Sequence, residues 1–237
     1  MTTEQIYGRR AVREALRGPR EVRELWVSER AVKSEPWLQE PGPGVRPRVM
    51  AERDLSELAG TRNHQGVVAA VEPYRYADGY DLAGVENPLL VCLDQVTDPH
   101  NLGAVIRSAE GAGATGVIVP AHGSARVTAA VCRASAGAVE HMRLAVVPNL
   151  ARYLGDVKGA DLWVYGAAGA EGTPIWSADL SGGAAFVFGA EGRGLRPLVR
   201  KTCDALVSIP LAGKVESLNV SVAAGILLYE ARRQRGA

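Results

Sequence analysis

The feature that most limits the fold is the second half of the chain, where short apolar runs alternate with helical patterns. LLVCLD at 89–94, GVIV at 116–119, LWVY at 162–165, AAFVF at 184–188 and ALVSI at 205–209 are too short and too uniformly apolar for amphipathic helices. Helical patterns at about 99–112 and 126–137 fall between them. Strands that are apolar on both faces, with helices interspersed, predict an α/β domain with a mostly parallel, doubly covered sheet. A last helix over 217–235 places Leu218, Val222, Ile226 and Tyr229, with Ala223 and Leu227, on one apolar face. Its terminal Arg232, Arg233 and Arg235 suit the negative end of the helix dipole.

The first part of the chain reads as a smaller α/β unit, with helices at 6–18 and 51–59 and strands at 22–27, 46–50 and 65–72. Between them Pro36, Pro41, Pro43, Pro47, Gly42 and Gly44 predict an irregular surface loop from Ser34 to Pro47. Residues 75–87 lie in a stretch from Pro73 to Pro88 without helical or strand periodicity, and read as an interdomain linker. The expected organisation is therefore 1–74, a linker at 75–87, and 88–237.

Several function classes are disfavoured at this level. Cys92, Cys132 and Cys203 are odd in number, far apart and set among apolar neighbours, which shows no disulfide framework and fits a reducing compartment. His64, His100, His122 and His141 are scattered, so no metal is expected. The N-terminus lacks the apolar core of a signal peptide, and no run approaches the roughly 18 apolar residues of a membrane span, so the expected location is cytoplasmic, without a membrane partner. A net charge of +1 argues against a generic polyanion binder. It leaves two local clusters, Arg9, Arg13 and Arg17 with Arg10, and the terminal arginines, as either solvated helix faces or nucleic-acid contacts.

Gly111, Gly113 and Gly116 satisfy the string G-x-G-x-x-G, but after a helix and before a strand, the reverse of the order a dinucleotide site needs. They read as a glycine-rich helix C-terminus, and a nicotinamide or flavin enzyme is not expected.

Three segments carry candidate chemistry. In LDQVTDPHNLGAVIRSAE, at 93–110, a strand runs into a helix whose first turn suits Pro99, and Asn101 and Arg107 could both reach a site above the strand's end. A capping Asn101 and an ion pair between Arg107 and Glu110 explain the same spacing. In FVFGAEGRGL, at 186–195, glycines at 189, 192 and 194 allow close backbone approach to a ligand, or only a turn, and the pair Glu191 and Arg193 favours a site. In IPLAGKVESLNVSVA, at 209–223, the polar S-L-N-V-S is either a helix cap or part of the same site.

Taken together and in this order, the three segments closely resemble the motifs of the SpoU family of RNA 2′-O-ribose methyltransferases, within the knotted SPOUT superfamily. The resemblance spans roughly residues 88–235. Residues 1–74 resemble the family's L30e-like RNA-binding domain, with His64-Gln65-Gly66 in its closing strand; the Pro-rich 34–47 stretch departs from the pattern. The resemblance implies a trefoil-knotted catalytic domain, one of the exceptions to unthreaded topology. It implies S-adenosylmethionine as cofactor, held largely by backbone groups at Gly189, Ile209 and Leu218, and a functional polar set of Asn101, Arg107, Glu191, Ser217 and Asn219. It implies RNA rather than DNA as partner, and a homodimer in which each site is completed by the other chain, with the last helix part of the interface. Arg107 is expected at the RNA phosphate and ribose, because a guanidinium clamps phosphate, projects a strong field and resists deprotonation. The branch it most resembles methylates guanosine in 23S ribosomal RNA. A transfer-RNA guanosine methylase, an adenosine-specific ribosomal methylase conferring antibiotic resistance, and a non-catalytic RNA-binding assembly factor stay open as alternatives.

Overall fold

The structure is a computed structural model of all 237 residues, and it describes every residue except Met1, Pro43, Ala160, Ala170, Glu191 and Ala237. In chain order the first elements are β1 (Glu4–Tyr7), α1 (Arg9–Ala15), β2 (Val22–Val27), α2 (Glu29–Ser34), β3 (Pro47–Val49), α3 (Glu52–Ala59), β4 (Val67–Val71) and α4 (Gly79–Ala83). Then follow β5 (Leu89–Asp94), α5 (Pro99–Gly111), β6 (Gly116–Pro120), α6 (Ala129–Ala134), β7 (Leu144–Val147), α7 (Leu150–Val157) and β8 (Leu162–Ala167). The last are β9 (Thr173–Pro174), β10 (Gly183–Gly189), α8 (Pro197–Thr202), β11 (Ala205–Ser208) and α9 (Val220–Gln234).

Two compact units divide these elements: Met1–Arg75 with Arg126–His141, and Tyr76–Ala125 with Met142–Ala237. In the first, a sheet of order β1-β4-β2-β3 pairs β4 antiparallel with β1 and β2, and β2 parallel with β3. Ile6, Val12, Leu25, Leu55 and the whole of β4 are buried. His64, Gln65 and Gly66 shape the entry to β4. His64 Nδ1 accepts from the Gly66 N–H at 3.0 Å, and the Gln65 side chain accepts the Arg9 N–H at 3.1 Å at the start of α1. Residues 126–141, expected in the catalytic domain, lie in this unit. Their allegiance is set by burial, since Glu140 meets Arg20 where both side chains are almost wholly enclosed.

In the second unit every strand pair is parallel, in the order β7-β6-β5-β10-β8-β11-β9. The fully buried LLVCLD of β5 is explained by its place inside the sheet, paired on both sides with β10 and β6. The chain leaves β5 toward β6 and β7 on one side and occupies β10 and β8 on the other. β5 and β10 therefore flank a topological switch point, where open α/β sheets leave a crevice at the strands' C-terminal ends.

Several expectations need correction. Residues 75–87 are not a free linker: Asp78 caps α4, Leu82 is fully buried, and the Tyr153 hydroxyl donates to Gly79 O at 2.7 Å. Helix α1 is shorter than expected and is preceded by β1; α6 is shorter too. In α9 the face turned inward carries Val220, Ala224, Leu227, Leu228 and Ala231, whereas Val222 and Tyr229 of the expected stripe are 49% and 53% exposed. The helix is apolar on two sides, and packing on α5 and β10 selects one of them. Two of the terminal arginines bind the protein's own backbone, Arg232 at Ala112 O and Arg235 at the carbonyls of Asn87, Pro88, Leu180 and Gly182, and Arg233 pairs with Glu230. Gly111 and Gly113 end α5 as expected, with Gly113 at φ +73°.

Candidate active site

The three candidate segments emerge from the C-terminal edge of the second sheet. Beyond β5, Gln95 adopts φ +63°, a left-handed turn that redirects the chain into α5. Asp98, rather than Asn101, caps that helix, accepting from the N–H groups of His100 and Asn101 at 3.0 and 3.3 Å, with Pro99 in the first turn. Asn101 is thereby released to present its side chain, and Asn219 Nδ2 donates to Asn101 Oδ1 at 2.9 Å. Asn219 also caps α9, accepting from the Ser221 N–H and hydroxyl at 2.9 and 2.6 Å. Capping and site-building, alternatives in the sequence, thus coexist in one residue.

Arg107 lies exposed on α5, and among the described residues it forms no ion pair, so the expected alternative partner Glu110 does not hold it. Ser217 is exposed in the segment before α9, and Ile209 and Leu218 are half-buried at the two ends of that segment. Gly189 closes β10 in register with Asp94. A Cβ at Gly189 would stand 2.0 Å from Gly194 C and 2.4 Å from Leu195 N, so only glycine permits the loop to fold back on its own strand. Ala190 and Gly194 bridge across that loop, and Gly192 and Gly194 take φ +75° and +65°. Glu191 lies outside the described residues.

Sequence reasoning missed Asp94 and Arg196. Asp94 is fully buried, and its Oδ1 and Oδ2 accept from Arg196 Nε at 2.7 Å and from the Arg196 N–H at 2.9 Å. A carboxylate ending an otherwise apolar strand was the available signal, since a charge is buried only when paired. Cysteine chemistry does not fit the site: burial pushes the Cys203 thiol up to about 11 and Cys92 higher still, so neither is a thiolate near neutrality. Among the described residues no group of three His, Cys, Asp or Glu could hold a metal, and no helix is long and apolar enough to cross a membrane.

The family model described as SpoU rRNA Methylase matches residues 88–229, and that described as RNA 2'-O ribose methyltransferase substrate binding matches residues 5–77. The 23S rRNA (guanosine-2'-O-)-methyltransferase RlmB of Vibrio vulnificus is 44% identical over 243 residues, covering 99% of this chain and 98% of that one. The putative TrmH family tRNA/rRNA methyltransferase YacO of Bacillus subtilis is 38% identical, covering 97% and 95%. Among solved structures, the SpoU methyltransferase AviRb from Streptomyces viridochromogenes in complex with AdoMet superposes with a TM-score of 0.81 at 32% identity, covering 99% and 91%.

Proposed function

The chain belongs to the SpoU rRNA methylase family, and on that premise we propose that it methylates the ribose 2′-oxygen of a guanosine in 23S ribosomal RNA, using S-adenosylmethionine. The observation that carries this reading is the convergence of the three motifs on one sheet edge, with Asn101 and Asn219 hydrogen-bonded although 118 residues apart. The cofactor fits the residues present: the main chain of the glycine loop lies against Gly189 at the end of β10, so a cofactor there would meet backbone rather than side chains. Gly189, Ile209 and Leu218 would hold it there by their main chains. When bound it supplies an electrophilic methyl on a sulfonium.

The protein's part is alignment and charge. Arg107 grips the phosphate of the reacting nucleotide and sets its ribose, and its cation favours the 2′-oxygen as the proton leaves. Asn101, Asn219, Ser217 and Glu191 orient the ribose and Arg107. Fixing the oxygen in line with the methyl supplies much of the rate.

The catalytic unit is a trefoil knot, a reading supported by the return of α9 onto α5 after β10 and β11 have been laid down on the far side of β5. The first unit is the RNA-binding, L30e-like part. The enzyme works in the cytoplasm as a homodimer, with the outward apolar row of α9, including Val222 and Tyr229, in the interface. The test is transfer of labelled methyl to unmodified ribosomal and transfer RNA, followed by mapping of the modified nucleotide. A 2′-O-methylguanosine at one 23S site is expected. A product only in transfer RNA overturns the substrate, and no transfer to either RNA overturns the activity.

A further inference from the structure

We infer that Asp94 is a positioning residue for this reaction, holding the 189–196 loop in the pose that meets the cofactor. The inference rests on the methyltransferase reading above. Asp94 stands where two candidate segments meet. On its C-terminal side the chain turns at Gln95, with φ +63°, into the Asp98 cap and α5, which carries Asn101 and Arg107. On its flank β10 ends at Gly189, in register with Asp94. The loop then departs, closes on itself through the bridge of Ala190 with Gly194, and returns so that Arg196 bonds back to the same carboxylate.

Both ends of the loop are therefore tied to one residue. The tie is threefold, with the Arg196 N–H at 2.9 Å, Nε at 2.7 Å, and Nη2 also within 2.7 Å of Oδ1. Asp94 has no exposed surface, so its charge depends on these donors, whereas the Arg196 side chain is 45% exposed. A carboxylate buried at the strand end and spent wholly on a loop fixes the loop's height above the sheet. Gly189 gives the reason that this height matters: with 2.0 Å to Gly194 C from a Cβ position, the loop's main chain lies directly on the backbone offered to the cofactor. Asp94 and Arg196 would thus act on cofactor binding through Gly189 and its loop.

The experiment measures S-adenosylmethionine binding by calorimetry, RNA binding, KM for each substrate and the melting temperature for the full-length wild type, Asp94→Asn, Arg196→Gln and Arg196→Lys. Arg196→Gln is the variant that keeps the test open if Asp94→Asn does not fold, because it trims a half-exposed side chain and keeps the backbone bond to Asp94. Asp94→Asn and Arg196→Gln are expected to weaken cofactor binding about tenfold, the scale of coupling between contacting residues. RNA affinity and KM for RNA should stay within about twofold of wild type, and Arg196→Lys, which keeps the charge and the backbone bond but loses the Nε–Nη2 fork, should recover only part of the cofactor affinity. Cofactor binding unchanged in Arg196→Gln overturns the inference. So does a parallel loss of cofactor and RNA binding that tracks the melting temperature, the mark of general destabilisation. A wild type that binds no S-adenosylmethionine fails earlier, and sinks the methyltransferase reading with the inference built on it.

Discussion

Replacing Glu140 by Gln should loosen the first unit and leave the second intact. Arg20 and Glu140 have side chains 5% and 0% exposed, and Nε donates to Oε2 at 2.8 Å while Nη2 bonds Oε1. Burial opposes the Arg20 charge, but the Glu140 hydrogen bonds and the nearby Cys132 more than offset it and raise the guanidinium above its ordinary value. The pair clamps residues 126–141 onto the rest of the unit, and the fit is close: a Cβ at Gly18 would lie 2.8 Å from Glu140 Cβ. Removing one partner of a buried pair costs roughly 3–5 kcal/mol, because the other charge is left uncompensated. Glu4 still approaches Arg20 at 3.4 Å with its own side chain 42% exposed, and the Tyr74 ring lies 5.7 Å away, so the low end applies. A loss of about 3 kcal/mol lowers the melting temperature of a unit this size by roughly 10–25 °C. Hydrogen exchange separates the units: protection should fall in β4 and persist in β5 and β10. The apolar pair Arg20→Met with Glu140→Leu should recover most of the loss. A Glu140→Gln protein that melts within about 1 kcal/mol of wild type would refute the clamp.

Arg107→Ala should abolish methyl transfer while cofactor binding, measured by calorimetry, stays at the wild-type value; near-wild-type turnover would remove Arg107 from the site. Gly189→Ala should cost about 1–3 kcal/mol and the greater part of cofactor binding, since the added methyl forces Gly194 away, and melts with binding titrations check both. At the end of α9, hydrogen bonds from Arg233 and Gln234 hold the Glu230 carboxyl down to about 2 from an ordinary 4.5. Because the folded value is depressed, this stabilisation is complete above pH 4.5 and fades as pH falls toward 2, which protection factors in the last turn of α9, each referred to the intrinsic amide exchange rate at its own pH, will show between pH 3 and 6. Glu230→Gln should make that difference in protection vanish.

Much of the fold was legible because its signals are local. The apolar runs that became β5, β6 and β10 needed only their own residues, since a strand buried on both faces advertises itself within six or seven positions, and the apolar runs of β8 and β11 were equally legible although Trp163 is exposed and Ala205 and Leu206 are half-buried. Helix α5 followed from the Pro99 start and its periodicity, and the glycine loop after β10 followed from its composition. Membership of the family was legible for the same reason, as its motifs are short and contiguous.

What the sequence could not settle were matters of partnership. Strand β1 has one buried residue, Ile6, and exists by pairing with β4 some sixty residues on. Val222 and Ala224 belong to equally apolar rows of α9, and only packing chose which row turned inward. Residues 126–141 join the first unit through Glu140, whose partner Arg20 is 120 residues away. Asp94 looked like the end of a strand until Arg196, 102 residues later, returned to it. Periodicity records which residues avoid water, but a buried charge or an unpaired edge is satisfied by whatever the folded chain brings beside it, and that pairing is decided only in the tertiary structure.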